Sequence, residues 1–280
     1  GSYTRFTGVQ WGETNPVGIS NEVLNKNANL RLIGNTALNY NITGALKLML
    51  SAGVDAGYTK GDYFAPRTIT IGNRQETVGG VGVPLPGVAS KSYSNSSSFV
   101  TENTLSYVKT FNNKHTVDAV AGITYQKTRS ENLGGSANGF VTDALENNNL
   151  GATTATIRNG ASSGYSDFAL LSYLGRVNYT FDGKYLLTIT GRYDGSSKFG
   201  EANKYAFFPS GALAWNVDKE KFMESINAIS SLKLRTSYGL AGTQAINPYQ
   251  TLSTMSNRTV NLGGSAFTGY FLGSLPNISL

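Results

Sequence analysis

Arg192 and Asp194 stand two residues apart in Gly191-Arg192-Tyr193-Asp194-Gly195-Ser196-Ser197, so in an extended chain their side chains fall on one side. A guanidinium and a carboxylate so placed can meet a polar ligand together or pair with each other. Pairing is the stronger reading: a hydrogen-bonded network pins a tight loop, with Gly195 supplying the turn. Arg31, Lys47, Asp55, Arg176, Asn178 and Lys233 have the same polar sidedness in their own segments. From these two groups, Arg176, Asn178, Arg192 and Asp194 are the candidates for touching a bound substrate. Trp215 with Phe207 and Tyr205 could stack on sugars, although packing is the commoner reason for such rings. Asp143, Glu146 and Asn147 to Asn149 carry calcium-ligating atoms, but not at the spacing of a helix–loop–helix site. His115 is the single histidine, and a metal role would need further ligands that we do not find. No nucleophile–base pair or paired carboxylates stand out, so we expect no enzyme, no cofactor and no metal.

Composition narrows the classes. With no Cys among 280 residues, thiol catalysis and cysteine-ligated zinc are excluded. Charged residues are 14%, well below the roughly 25% of a soluble domain. Even so, no apolar run is long enough for a transmembrane helix. The net charge of +6 comes from scattered residues, with no basic cluster of the kind nucleic acid requires. The glycine run Gly79 to Gly87 lacks the Lys-Ser/Thr pair and the helix of a phosphate loop. Triplets such as Asn178-Tyr179-Thr180 lie inside strand patterns and are no evidence for glycosylation.

What positions the polar residues is a period-two pattern. From Tyr165 to Tyr193, Ala169, Leu171, Tyr173, Val177, Tyr179 and Phe181 share one side, and Ser172, Arg176, Asn178 and Thr180 the other. After Asp182-Gly183-Lys184 the alternation resumes through Tyr185, Leu187, Ile189 and Tyr193. An Asp-Gly pair accepts the positive φ angles of a tight hairpin. The apolar side runs for about 13 residues, which at ~3.3 Å each and a ~45° tilt spans about 30 Å, a bilayer's hydrocarbon thickness. Aromatic residues flank the turn, as a membrane girdle would require.

Similar pairs run from Leu30 to Ile42 and Leu46 to Tyr58, and around the turn Asn112-Asn113-Lys114. A fourth joins Tyr205–Asn216 to Leu232–Leu240 through a helical turn capped by Asp218. Thr4 to Trp11 suggests one strand more. Connections within pairs are short; those at Lys60 to Ser97, Thr128 to Ser166 and beyond Gly242 are long and rich in Gly, Ser, Asn and Thr. This predicts an all-β, antiparallel transmembrane barrel, with short periplasmic turns and long extracellular loops. About eight strands are visible. Since lipid forbids unpaired edges, we expect a piece of a larger barrel spanning residues 1–280, without plug domain or signal peptide.

A longer motif carries a family resemblance. Arg192, Asp194, Gly195, Ser196, Ser197, Phe199 and Gly200 are followed by Pro209, Trp215, Gly239, Gly242, Gln244 and Pro248, in an order and spacing that strongly resemble the SusC/RagA family of TonB-dependent outer-membrane transporters of Bacteroidetes. The weaker pattern from Asn15-Pro16 to Asp55 is similar to that family too. The resemblance implies a barrel of about 22 strands with a plugged lumen. It further implies import of oligosaccharides or peptides, a SusD-like surface lipoprotein as partner, and energy from the TonB complex acting through an N-terminal region this sequence lacks. Outer-membrane lipid would surround the wall. The alternatives are a passive porin-like or structural barrel, and a secreted carbohydrate-binding or adhesive β-sandwich, which would need a dry core between its apolar faces.

Overall fold

A computed structural model of the protein describes residues 16–78, 81–153, 160–226, 228–263 and 265–277. The strand expected at Thr4 to Trp11 lies outside them. Asp182 and Gly183 both take positive φ, 53° and 67°, and the Lys184 N–H donates back to the Phe181 carbonyl at 2.9 Å, closing a tight turn that leaves three residues between the strands. From it the flanking strands β7 (Gly160–Phe181) and β8 (Tyr185–Ser196) pair antiparallel without a shift, from Phe181 opposite Tyr185 to Leu170 opposite Ser196. Asn112 and Asn113, with φ of 50° and 53°, turn β5 (Val88–Phe111) into β6 (His115–Asn138) in the same way.

Upstream, a short helix α1 (Pro16–Glu22) leads into β1 (Leu24–Asn41) and β2 (Leu46–Ala65). A small hairpin, β3 (Asn73–Val78) with β4 (Val81–Pro86), stands between β2 and β5 as a separate two-stranded sheet. Downstream lie β9 (Tyr205–Asn216) and β10 (Lys233–Gly239), then the separate hairpin β11 (Thr254–Leu262) and β12 (Ser265–Ser274). The main sheet has eight strands in the order β1-β2-β5-β6-β7-β8-β9-β10, a meander of neighbours in sequence apart from the β3–β4 excursion.

The strands run further than the alternation predicts. β5 and β6 each hold 24 residues and β7 holds 22, whereas about 9–11 suffice to cross a bilayer. Much of what reads as loop at Lys60 to Ser97 and Thr128 to Ser166 is therefore strand. Where both faces meet water the apolar–polar rhythm disappears, yet the ladder continues because the neighbouring strand continues. The Ser98 and Thr128 hydroxyls, 3.3 Å apart, pair across β5 and β6 on the polar face. The connection after β9 also differs: it is two 3-10 turns, Val217–Lys219 and Lys221–Met223. Asp218 does not cap a helix there; its carboxylate accepts the Leu232 N–H at 3.2 Å, pinning the return into β10.

The chain divides into two compact units. The first takes the described residues up to Ile33 with Asp55–Ser97 and Arg129–Ser166. It has a small dry core of Phe64, Ala89, Ala137 and Phe140, flanked by Leu24 and Leu150. The second takes Gly34–Val54, Ser98–Thr128 and the described residues from Asp167 onward. Among the described residues its only buried large apolar side chain is Val217, while Leu38, Ile189, Leu213 and Leu234 are more than half exposed. A sandwich would have dried those faces against each other. Here they are left open, as a lipid-facing wall requires.

Gly195 is a strand residue rather than the turn expected of it, and the chain reverses at Ser197 and Lys198. Its missing side chain makes room for the ring of Tyr205 opposite, since a Cβ would stand 2.1 Å from Tyr205 Cε1. Gly195→Ala should therefore lower the unfolding free energy of the protein in urea by about 1–3 kcal/mol. Adding Tyr205→Ala should return part of that loss, which a double-mutant cycle reads directly.

Candidate functional site

Arg192 and Asp194 meet each other. Arg192 Nε donates to both Asp194 oxygens, at 2.7 and 2.9 Å, and Arg192 Nη2 donates to Ser172 Oγ at 3.0 Å. Ser172 is fully buried and stands opposite Asp194 in the β7–β8 register, so the cluster is set by strand pairing. A cavity of about 180 Å³ opens beside it, lined by Arg192, Asp194, Ser196, Phe208, Gly242 and Gln244 among others. The segment after β10 crosses here: a Cβ on Gly242 would lie 2.4 Å from the Phe208 ring, so only glycine fits under that ring. Gln244 Oε1 is buried there without a hydrogen-bond partner among the described residues.

The remaining motif residues tie strands to loops. Ser197 and Ala169 exchange two hydrogen bonds: Ala169 N–H donates to Ser197 Oγ at 2.8 Å, and Ser197 N–H to the Ala169 carbonyl at 2.9 Å. Phe199 N–H donates to the Ser196 carbonyl, and Gly200 leads into a 3-10 turn at Glu201–Asn203. Pro209 ends the β9–β10 ladder: Leu240 N–H donates to its carbonyl at 3.0 Å, but proline has no N–H to return. Gly239 lies opposite Ser210. Pro248 begins the turn that carries Tyr249, whose hydroxyl donates to Asp167 Oδ1 at 2.7 Å and accepts the Asp167 N–H at 2.9 Å.

Of the wider polar set, Arg31 and Asp55 pair in the first unit through two bonds of 2.9 and 2.6 Å. In the second unit Asn178 donates to Asp118 at 3.3 Å and accepts from Thr188 at 2.8 Å. Arg176 is exposed opposite Thr190, and Lys47 and Lys233 are exposed on β2 and β10. Tyr205 and Trp215 stand at opposite ends of β9, about 33 Å apart at ~3.3 Å per residue, so with Phe207 they make no single sugar platform. Tyr205 stacks on Tyr193 with ring centres 5.2 Å apart. His115 lies 2.7 Å from the Tyr179 hydroxyl and 5.0 Å from the Phe181 ring, packed at the Asn112-Asn113 turn.

Two clusters went unnoticed in the sequence. At the turn end, Glu220 accepts from Tyr185 Oη at 2.7 Å, Trp215 Nε1 at 3.1 Å and Lys184 Nζ at 3.3 Å. The tyrosine and tryptophan donors, and then the lysine, hold its carboxyl below the usual range. Trp215 is stacked on Tyr185 at 6.4 Å, so its role is to close the hairpin end. In the first unit, Asp62 joins Lys91 at 2.9 Å, Lys60 at 3.0 Å and the amide of buried Asn147 at 2.8 Å. Asp143, considered for calcium, instead pairs with Arg67 at 3.2 Å. No signal local to the chain marks either cluster, because partners such as Asp62 and Asn147 lie 85 residues apart.

Lys91 above all, then Lys60, lowers the Asp62 carboxyl to about 2. Its value in the unfolded chain is about 3.9, so this anchor stabilises fully above pH ~4 and is lost as pH falls toward 2. Hydrogen-exchange protection of residues 140–150 should accordingly hold from neutral pH to about 4 and drop below it. Asp62→Asn should show the unprotected pattern already at pH 7.

An open apolar face on strands long enough to cross a bilayer, joined by tight turns, defines a stretch of transmembrane β-barrel wall. No family model matches the chain. It is 35% identical over 266 residues to TonB-dependent receptor P3 of Formosa agariphila, covering 95% of this chain and 25% of that protein. TonB-dependent receptor P26 of the same organism is 35% identical over 290 residues, 100% of this chain and 28% of that one. The TonB-dependent receptor SusC of Bacteroides thetaiotaomicron is 47% identical over 77 residues, 28% of this chain and 8% of its own length. Among solved structures, that of the RagAB peptide transporter superposes with a TM-score of 0.83 at 23% identity, over 100% of this chain and 29% of that chain. Over nearly its whole length the chain is similar to TonB-dependent receptors, and over 77 residues to SusC, and it spans about a quarter of the length of the two Formosa relatives.

Proposed function

We propose that the chain supplies wall strands and outer loops to an outer-membrane importer that takes up nutrients, oligosaccharides or peptides, under TonB control and with a SusD-like lipoprotein as partner. Residues 1–280 are then one part of its barrel domain, and the work is transport rather than catalysis. The observation that carries this is the second unit's open apolar face, whose Leu38, Ile189 and Leu213 have no dry core to enter. Similarity along nearly the whole chain to proteins named TonB-dependent receptors supports it.

Within the wall, the contacts of Arg192, Asp194 and Ser197 with their own strands favour a structural role for the motif. Arg176, exposed among the polar residues of β7, is the member of the set free to meet cargo. Fractionation of cells expressing the full receptor should place it in the outer membrane, and deletion of TonB should abolish uptake of its oligosaccharide or peptide. A water-soluble monomer would overturn the proposal. Arg192→Gln should reduce the amount of folded receptor while uptake per folded molecule holds. Arg176→Ala should leave folding intact and raise the half-saturating cargo concentration several-fold.

A further inference from the structure

A groove of about 440 Å³ lies in the first unit across four neighbouring strands, lined by Tyr58 of β2, Tyr93 and Asn95 of β5, Glu131 and Leu133 of β6, and Tyr165 of β7 among others. Close contacts fix how these strands stand. Asp62 meets Lys91, and Gly61 faces Ser92, across β2 and β5. Gly164 against Asn132, Gly134 against Ser162 and Gly160 against Ser136 keep one unbroken register between β6 and β7. Glu131 is thereby opposite Tyr165. The side chains share a face: the Arg129 guanidinium lies 5.0 Å from the centre of the Tyr165 ring, and the Tyr58 and Tyr93 rings are 6.2 Å apart.

Alternation tells which face this is. Tyr58 has the parity of Leu46, Leu48, Leu50 and Val54 along β2, and Tyr165 that of Leu171, Tyr173 and Val177 along β7. It is the lipid side of both strands. The next residues of that parity on β2 are Lys60 and Asp62, so the groove sits where the apolar series gives way to charge, the level of lipid headgroups. An ordinary girdle offers single rings on a convex wall. Here three tyrosines converge on one concavity, with Tyr58 43% and Tyr165 51% exposed, and with the Asn95 amide and Glu131 carboxylate among them.

Flat aromatic faces beside amide and carboxylate groups suit a sugar ring, which offers an apolar C–H face and a rim of hydroxyls. The one charged residue in the lining is Glu131, which Arg129 pairs at 2.5 Å, while Asp62, shared by Lys60 at 3.0 Å and Lys91 at 2.9 Å, stands outside the lining. A neutral saccharide is therefore favoured over a phosphate. We propose that the outward groove of Tyr58, Tyr93, Asn95, Glu131 and Tyr165 binds the saccharide headgroup of a glycolipid in the outer leaflet. This rests on the outer-membrane placement proposed above.

The test uses the full receptor purified in mild detergent from outer membranes, with lipooligosaccharide from the same cells as probe and native mass spectrometry as readout. Wild type should retain lipooligosaccharide through detergent exchange, and Glu131→Gln with Tyr165→Ala should retain roughly tenfold less, about the worth of a stacked ring. Tyr165→Phe, which keeps the ring, should stay near wild type and guards against a folding artefact. Equal retention by all variants would overturn the proposal, as would phosphatidylethanolamine held equally well. Binding of the deacylated saccharide as tightly as the intact lipid would also overturn it, pointing to a soluble glycan. If the receptor is absent from the outer-membrane fraction, the transporter proposal fails instead.

Discussion

Backbone amides and carbonyls that enter hydrocarbon have no water to turn to, so each must find its partner in the sheet. That demand explains why the strands form an unbroken eight-membered meander, and why β7, β8 and β9 pair residue for residue without a bulge. It also accounts for the glycines at the strand contacts. Gly195 makes no turn but leaves room for the Tyr205 ring beside the ladder, and Gly242 leaves room for the Phe208 ring where the segment after β10 crosses.

Once the ladder is obligatory, side chains are left with two distinct tasks on two faces. The apolar side stays open, with Ile189 and Leu213 both more than half exposed. The polar side closes on itself through short bonds: Arg192 to Asp194 and Ser172, Asn178 to Asp118 and Thr188. Such saturation makes the wall stiff and leaves few polar groups for a ligand, which is why Arg176 stands out and Arg192 does not.

How much of this could be read from the residues depended on range. The hairpin at Asp182-Gly183 was legible because turn chemistry and parity agree within a few residues, and β9 has the bounds its pattern announces, Tyr205–Asn216. The far halves of β5 and β6 were not legible. Ser94 to Ser98 carries no alternation, and only the presence of β6 alongside makes it strand. Glu220 and Asp62 were hidden for a related reason: a carboxylate's partners from other strands leave no trace beside it in the chain. The motif around Arg192 was conspicuous, yet its residues mark a fold-holding knot, and their spacing alone did not reveal that Gly195 belongs to the strand.

The long polar ends of β2, β5, β6 and β7 inherit their alignment rather than encode it. Tight turns and apolar parity settle the register near Asn112-Asn113 and Asp182-Gly183, and the rest of each strand follows like the free end of a zip. Sequence there is released from the duty of specifying pairing. A run such as Ser96-Ser97-Ser98 can therefore change its residues without unseating the ladder.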